Sequence, residues 1–190
     1  MKVIIIFSLF ILNTLSGNNY AMDHQHICHP CTPFEKKDIA IAKSKHFYAS
    51  LDPRDLRVPR IFVQTHEHIT SLADWTDEQW QEFGWFEKAL ENALKKTFGA
   101  DLINVACLMN LAGKEGTHTH WHFIPRLPKQ LIITDQKTNN SHVFEDPCYG
   151  KPYDMDSKNY RSTSFDMMTI IIKMIQKNLD ILNIPEAEYK

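Results

Sequence analysis

The sequence predicts an α+β domain with a mostly antiparallel sheet. Three observations predict it: β-prone runs bounded by turn residues before residue 66 and again between 102 and 126, one long helical pattern between them, and a second amphipathic pattern near the end. Residues 38–42 and 46–51 read as the first two strands, Asp52-Pro53-Arg54-Asp55 as a turn, and 60–65 as a third strand. Thr76-Asp77-Glu78-Gln79 fits a capping box, and Trp80, Phe83, Phe86, Leu90, Ala93, Leu94 and Phe98 follow at helical spacing until Gly99 ends the pattern. That spacing assigns the aromatic stripe to the core, not to a ligand platform. Residues 102–109 and 117–126 read as two further strands, and 127–161 as loop-rich chain. A last helix is expected from about 163 to 182, with Phe165, Met168, Ile172, Ile175, Leu179 and Leu182 on one face.

At 190 residues and 43% hydrophobic content the chain can bury one sizeable core, and no repeat or composition shift marks a second domain. A formal net charge of −2 excludes a broad basic surface that tracks a nucleic-acid backbone, so no nucleic-acid partner is expected. A local site for one nucleotide remains open. Residues 1–21 read as a signal peptide: Lys2 is the positive n-region, 3–12 the apolar stretch, and 16–21 a small or polar run able to hold a cleavage site. The apolar stretch is shorter than the roughly 20 residues of a spanning helix, so no stable membrane association is expected after cleavage. The expected location is periplasmic or secreted, with residues 22–190 as the folded domain.

The segment Thr117-His118-Thr119-His120-Trp121-His122-Phe123-Ile124-Pro125-Arg126 sets three imidazoles at strict alternation in an apolar, β-prone run. Alternation predicts that His118, His120 and His122 project from one face of a strand while Thr119, Trp121 and Phe123 pack on the other. Three adjacent imidazoles are awkward to bury without a use, because each ring needs partners for two nitrogens and each protonation opposes the next. Four cysteines stand at 28, 31, 107 and 148. Cys28-His29-Pro30-Cys31 has metal or redox spacing, and Cys107 lies in an apolar run as a small core residue.

The His-x-His-x-His pattern with its apolar neighbours and the following Ile-Pro-Arg resembles the histidine-triad nucleotide hydrolase and transferase family. The segment 144–154 resembles a tail of one bacterial branch of it, that of dinucleoside polyphosphate hydrolases. The resemblance implies a sheet of about five strands with two helices, often paired into a homodimer. It also implies that His120 attacks the α-phosphorus of a nucleotide substrate to form a nucleotidyl-imidazole, and that His122 contacts the phosphate and assists the leaving group. Asn110 matches a family asparagine ahead of the triad, though a turn cap accounts for it equally. Where the family often carries a Gly-Gln-Ser type segment, this chain has Gly113-Lys114-Glu115-Gly116-Thr117, so Thr117 or Lys114 stands in for the missing phosphate contacts.

In zinc-bearing relatives two cysteines near the N-terminus, a histidine at a strand end and the first triad histidine bind a structural zinc. Those positions map onto Cys28, Cys31, His68 and His118, with His66 as a competitor. Two thiolates and two imidazoles make a usual tetrahedral zinc set, whereas an oxidising compartment favours a Cys28–Cys31 disulfide. The activity expected is hydrolysis of nucleoside-linked phosphoanhydrides or phosphoramidates. A nucleotidyltransferase would use the same histidine with another acceptor, and a non-catalytic periplasmic metal-binding module would use the Cys-x-x-Cys and the histidines for zinc or copper.

Overall fold

A computed structural model describes residues 39–109, 118–180 and 188–189. Its main sheet has the strand order β4-β5-β3-β2-β1-β8, built from β1 (Ala40–Lys43), β2 (Phe47–Leu51), β3 (Ile61–Thr65), β4 (Leu102–Ala106), β5 (His120–Arg126) and β8 (Glu188–Tyr189). Every pairing is antiparallel. The five strands read from the sequence are all present, and the two-residue β8 joins the β1 edge beyond them. The signal-peptide reading, Cys28, Cys31, Asn110, Lys114 and Thr117 fall outside the described residues. Among those described, no helix is long and apolar enough to cross a membrane.

Helix α1 (Asp77–Phe98) starts where the capping box predicts: Thr76 Oγ1 accepts from the Gln79 N–H at 3.2 Å and Gln79 Oε1 from the Thr76 N–H at 2.9 Å. It ends at Gly99, whose φ of 67° is left-handed and carries no Cβ penalty. Phe83, Phe86, Leu90, Ala93, Leu94 and Phe98 are buried, with Phe83 4.7 Å from Trp121 and 6.3 Å from Phe123, ring centre to ring centre. The helix thus covers the face opposite His120 and His122. Trp80, the first residue of the predicted stripe, stays 40% exposed. Helix α2 (Phe165–Asn178) packs beside α1, with Asn178 Nδ2 donating to Thr97 Oγ1 and Gln176 Nε2 donating to the Ile41 carbonyl of β1. It is shorter than expected, and its buried residues are Met167, Ile171, Ile172 and Ile175 while Phe165 is exposed. The helix starts only at Phe165, capped by Ser164 Oγ on the Met167 N–H, so its first apolar residue lies in the first turn facing solvent.

The stretch expected to be loop contains a hairpin of β6 (Leu131–Thr134) and β7 (Ser141–Phe144). Phe144 is buried against Phe98, and the hairpin is tied to the 55–57 segment: His142 Nε2 donates to the Leu56 carbonyl and the Glu145 N–H to the Arg57 carbonyl, both at 2.7 Å. Those bonds fix the loop that approaches the histidine face of the sheet.

Candidate active site

β5 is the second strand of the sheet, clamped between β3 and β4, so its side chains are set by two ladders. Gln64 faces His120, Phe62 faces His122 on β3, and Ala106 faces His122 on β4. Directly opposed residues share a face. His120, His122, Phe62 and Gln64 therefore form one patch, with ring centres 4.9 Å apart between the two imidazoles. The Phe62 ring stands edge-on 5.6 Å from His120 and 4.9 Å from His122.

His120 Nδ1 lies 2.9 Å from the His118 carbonyl. A carbonyl only accepts, so the proton sits on Nδ1 and the lone pair on Nε2. That tautomer is the one a nucleophilic imidazole needs. His122 is nearly enclosed and its Nδ1 has no hydrogen-bond partner among the described residues. Burial, then the neighbouring His120 and the charges of Arg60 and Arg54, pushes its pKa down to about 3. His122 is therefore neutral at ordinary pH and offers one N–H to an incoming oxygen.

His118 departs from the expected alternation. β5 begins only at His120, because the Thr119 N–H bonds to the Ile69 carbonyl at 2.7 Å and not to a ladder partner. The His118 ring is buried, 5.5 Å from the ring of His68, with Nε2 2.8 Å from Thr65 Oγ1. The Thr65 hydroxyl already donates to the Glu67 carbonyl at 2.7 Å, so it accepts from His118 Nε2–H, and the His118 lone pair is on Nδ1. Burial, then His68 and His120, lowers the His118 pKa to about 4 and keeps the ring in the neutral, ligating form. His66 is no competitor: its Nε2 donates to the Ser44 carbonyl and its ring stacks on Tyr48. The structure brings His68 and His118 together. Among the described residues alone no group of three or more His, Cys, Asp or Glu side chains converges, and Cys28 and Cys31 are not among them.

Cys107 follows β4 and is half-buried, and burial pushes its thiol up, so it is a poor nucleophile beside His120. Sequence reasoning missed Gln64, Phe62 and the arginines of the 52–60 loop. Gln64 is buried with Nε2 unpartnered among the described residues, and Ser50 Oγ on the same face is unpartnered too. The even-numbered positions of β3 carried a faint signal, a buried amide in an apolar run. Further along the face, Arg60 is enclosed with its Nε 2.9 Å from Asp52, and Arg57 binds Asp55 through two nitrogens at 2.9 and 2.8 Å. Tyr160 and Tyr153 lie over these guanidiniums, 5.0 Å from Arg60 and 5.1 Å from Arg57.

A family model described as "Protein similar to CwfJ C-terminal" matches residues 16–138. No curated protein matches the chain. Among solved structures, a hypothetical histidine triad nucleotide-binding protein from Sulfolobus tokodaii aligns with a TM-score of 0.55 at 16% identity, over 80% of this chain and 91% of that one. A Zn-bound histidine triad family protein from Mycobacterium smegmatis aligns with a TM-score of 0.52 at 16% identity, over 80% and 94%. The diadenosine triphosphate hydrolase of Plasmodium falciparum aligns at 0.51 and 15% identity, over 74% and 76%. At such identities the likeness is one of fold.

Proposed function

Because this chain belongs to the histidine-triad proteins, through the family similar to the CwfJ C-terminal region, we propose that it hydrolyses nucleoside-linked phosphoanhydrides or phosphoramidates through a nucleotidyl-histidine. The observation that carries the reading is the His120 tautomer, with Nδ1–H held on the His118 carbonyl and Nε2 left as the attacking atom. In the first step the Nε2–phosphorus bond forms as the bond from the α-phosphorus to the leaving group breaks, and the leaving group departs with the electron pair. Water then attacks the same phosphorus, the phosphorus–nitrogen bond breaks, His120 recovers its lone pair, and one proton passes to solvent with release of the nucleoside monophosphate. His122, neutral and nearly enclosed, donates to a phosphate oxygen. Gln64 Nε2 supplies a second donor on the same face. Asn110 and Thr117 are proposed as further substrate contacts.

The fold likeness to a diadenosine triphosphate hydrolase favours a dinucleoside polyphosphate substrate. Offering such substrates to the intact protein and quenching in base should trap a nucleotidyl adduct on His120 by mass spectrometry. A nucleotidyltransferase would give the same adduct, and then turnover would depend on an added acceptor other than water. No adduct with any nucleotide would sink the reading.

A zinc would be held by Cys28, Cys31, His68 and His118 and would be structural. The lone pair on His118 Nδ1 and the adjacent His68 fit that role. Elemental analysis should find one zinc per chain, and a Cys28–Cys31 disulfide in its place would overturn the assignment. Export through residues 1–21 to the periplasm or beyond is proposed with it, and a mature N-terminus between about residues 17 and 22 is expected. A homodimer is proposed from the resemblance, and solution mass would test it.

A further inference from the structure

The loop from Asp52 to Arg60 carries three guanidiniums and two carboxylates, one positive charge in excess. Both carboxylates are fully enclosed. Arg57 and Arg60 are enclosed with them and committed to them, and Arg57 Nη2 also donates to the Asp154 carbonyl at 2.8 Å. Arg54 is held differently. Its backbone N–H and its Nε both donate to Asp52 Oδ1, at 3.0 and 3.2 Å, so the base of the fork is anchored to a buried group. Its side chain is 66% exposed, and its two terminal nitrogens make no hydrogen bond or ion pair among the described residues. The Arg54 guanidinium lies over the Phe62 ring, 5.6 Å from its centre, and the edge-on neighbours of that ring are His120 and His122. A cation with two unused amino groups thus stands one aromatic ring away from the two imidazoles.

We propose that Arg54 takes the phosphate adjoining the one that His120 attacks, and so selects substrates whose leaving group is itself a phosphate chain. The assignment rests on the nucleotidyl-histidine reading above. The α-phosphorus bears the sugar on one side, so any further phosphate within reach belongs to the leaving group. The Phe62 ring separates the guanidinium from the imidazoles, which suits a contact with the next phosphoryl unit along the chain. A planar fork matches two phosphate oxygens at once, and the charge that grows on the departing oxygen during attack strengthens the contact.

The test compares full-chain wild type with Arg54→Gln and Arg54→Lys on two substrates: diadenosine tetraphosphate, which releases a polyphosphate, and adenosine 5′-phosphoramidate, which releases an amine. The ratio of kcat/KM for the first to the second should fall at least 10-fold in Arg54→Gln and be partly restored in Arg54→Lys. An unchanged ratio overturns the proposal. Should wild type turn over neither substrate, the nucleotidyl-histidine reading itself falls, and Arg54 is then judged by calorimetric binding of inorganic tripolyphosphate. A loss of affinity of 10-fold or more in Arg54→Gln supports an oligophosphate site, and equal affinity refutes it.

Discussion

Along one face of the sheet, the loop around Asp52, Asp55, Arg57 and Arg60 and the pair His120–His122 treat buried polarity in opposite ways. In the first region every buried charge has an opposite charge, often through two nitrogens, and a tyrosine ring closes over it. In the second, Gln64 Nε2, His122 Nδ1 and Ser50 Oγ are enclosed without a partner among the described residues. The fourth such atom, Trp121 Nε1, lies on the helix side. An unmade buried hydrogen bond costs about 1–3 kcal/mol. The charge cluster therefore holds the loop in place, while the imidazole end keeps donors in reserve for something that arrives from outside.

The sharpest break of the contrast is His120→Ala. It should reduce kcat by about 10⁴-fold or more and leave circular dichroism unchanged, since the residue supplies chemistry and little packing. His122→Ala should lose less. Comparable activity in His120→Ala and wild type would end the covalent mechanism.

On the other side of the comparison, Arg60→Met should strike the fold. It leaves Asp52 Oδ2 without its donors in an enclosed site, and urea unfolding should report a loss of about 3–5 kcal/mol. The double change Asp52→Leu with Arg60→Met should recover most of that loss. A single variant as stable as wild type would mean that the pair is not what fixes the loop.

Gln64→Met should show the reverse sign. Removing an unpartnered buried amide should raise stability by about 1 kcal/mol while activity falls. A variant that loses both would show that Gln64 is structural.

The smallest effect is a slope. His122 titrates near 6.5 when unfolded and about 3 when folded, so below pH 6.5 the unfolded chain binds a proton that the folded chain refuses. Its contribution to stability is whole above 6.5 and is lost as pH falls towards 3, by at most about 1.4 kcal/mol per pH unit. Urea midpoints between pH 7.5 and 5 should fall more steeply in wild type than in His122→Asn. Equal slopes would mean that the ring protonates in place.

Some of this was legible before any fold was known. The capping box Thr76–Gln79 and the stripe ending at Gly99 located α1 to the residue, because caps and helical spacing are local chemistry. The β6–β7 hairpin was not, since its four-residue strands are too short for alternation to be distinguished from loop. The pairing of His68 with His118 followed from resemblance, and the bond that orients His118, to Thr65, did not. Local pattern placed His120 on a strand, but the partner that fixes its tautomer depends on where the strand starts, and that is set by the Thr119–Ile69 contact.

By itself the sequence determined the fold class and the long helix, which depend on patterns read segment by segment along the chain, and it set three histidines at alternate positions of one run. Only the tertiary structure decided that Gln64 and Phe62 flank His120 and His122, that Arg57 and Arg60 are consumed by Asp55 and Asp52, and that Arg54 alone of the three keeps its terminal nitrogens free among the described residues. Those facts turn on strand register and on which of several equivalent charges meet across a loop. Register and pairing are settled by packing between segments distant in the chain, and no local pattern records them.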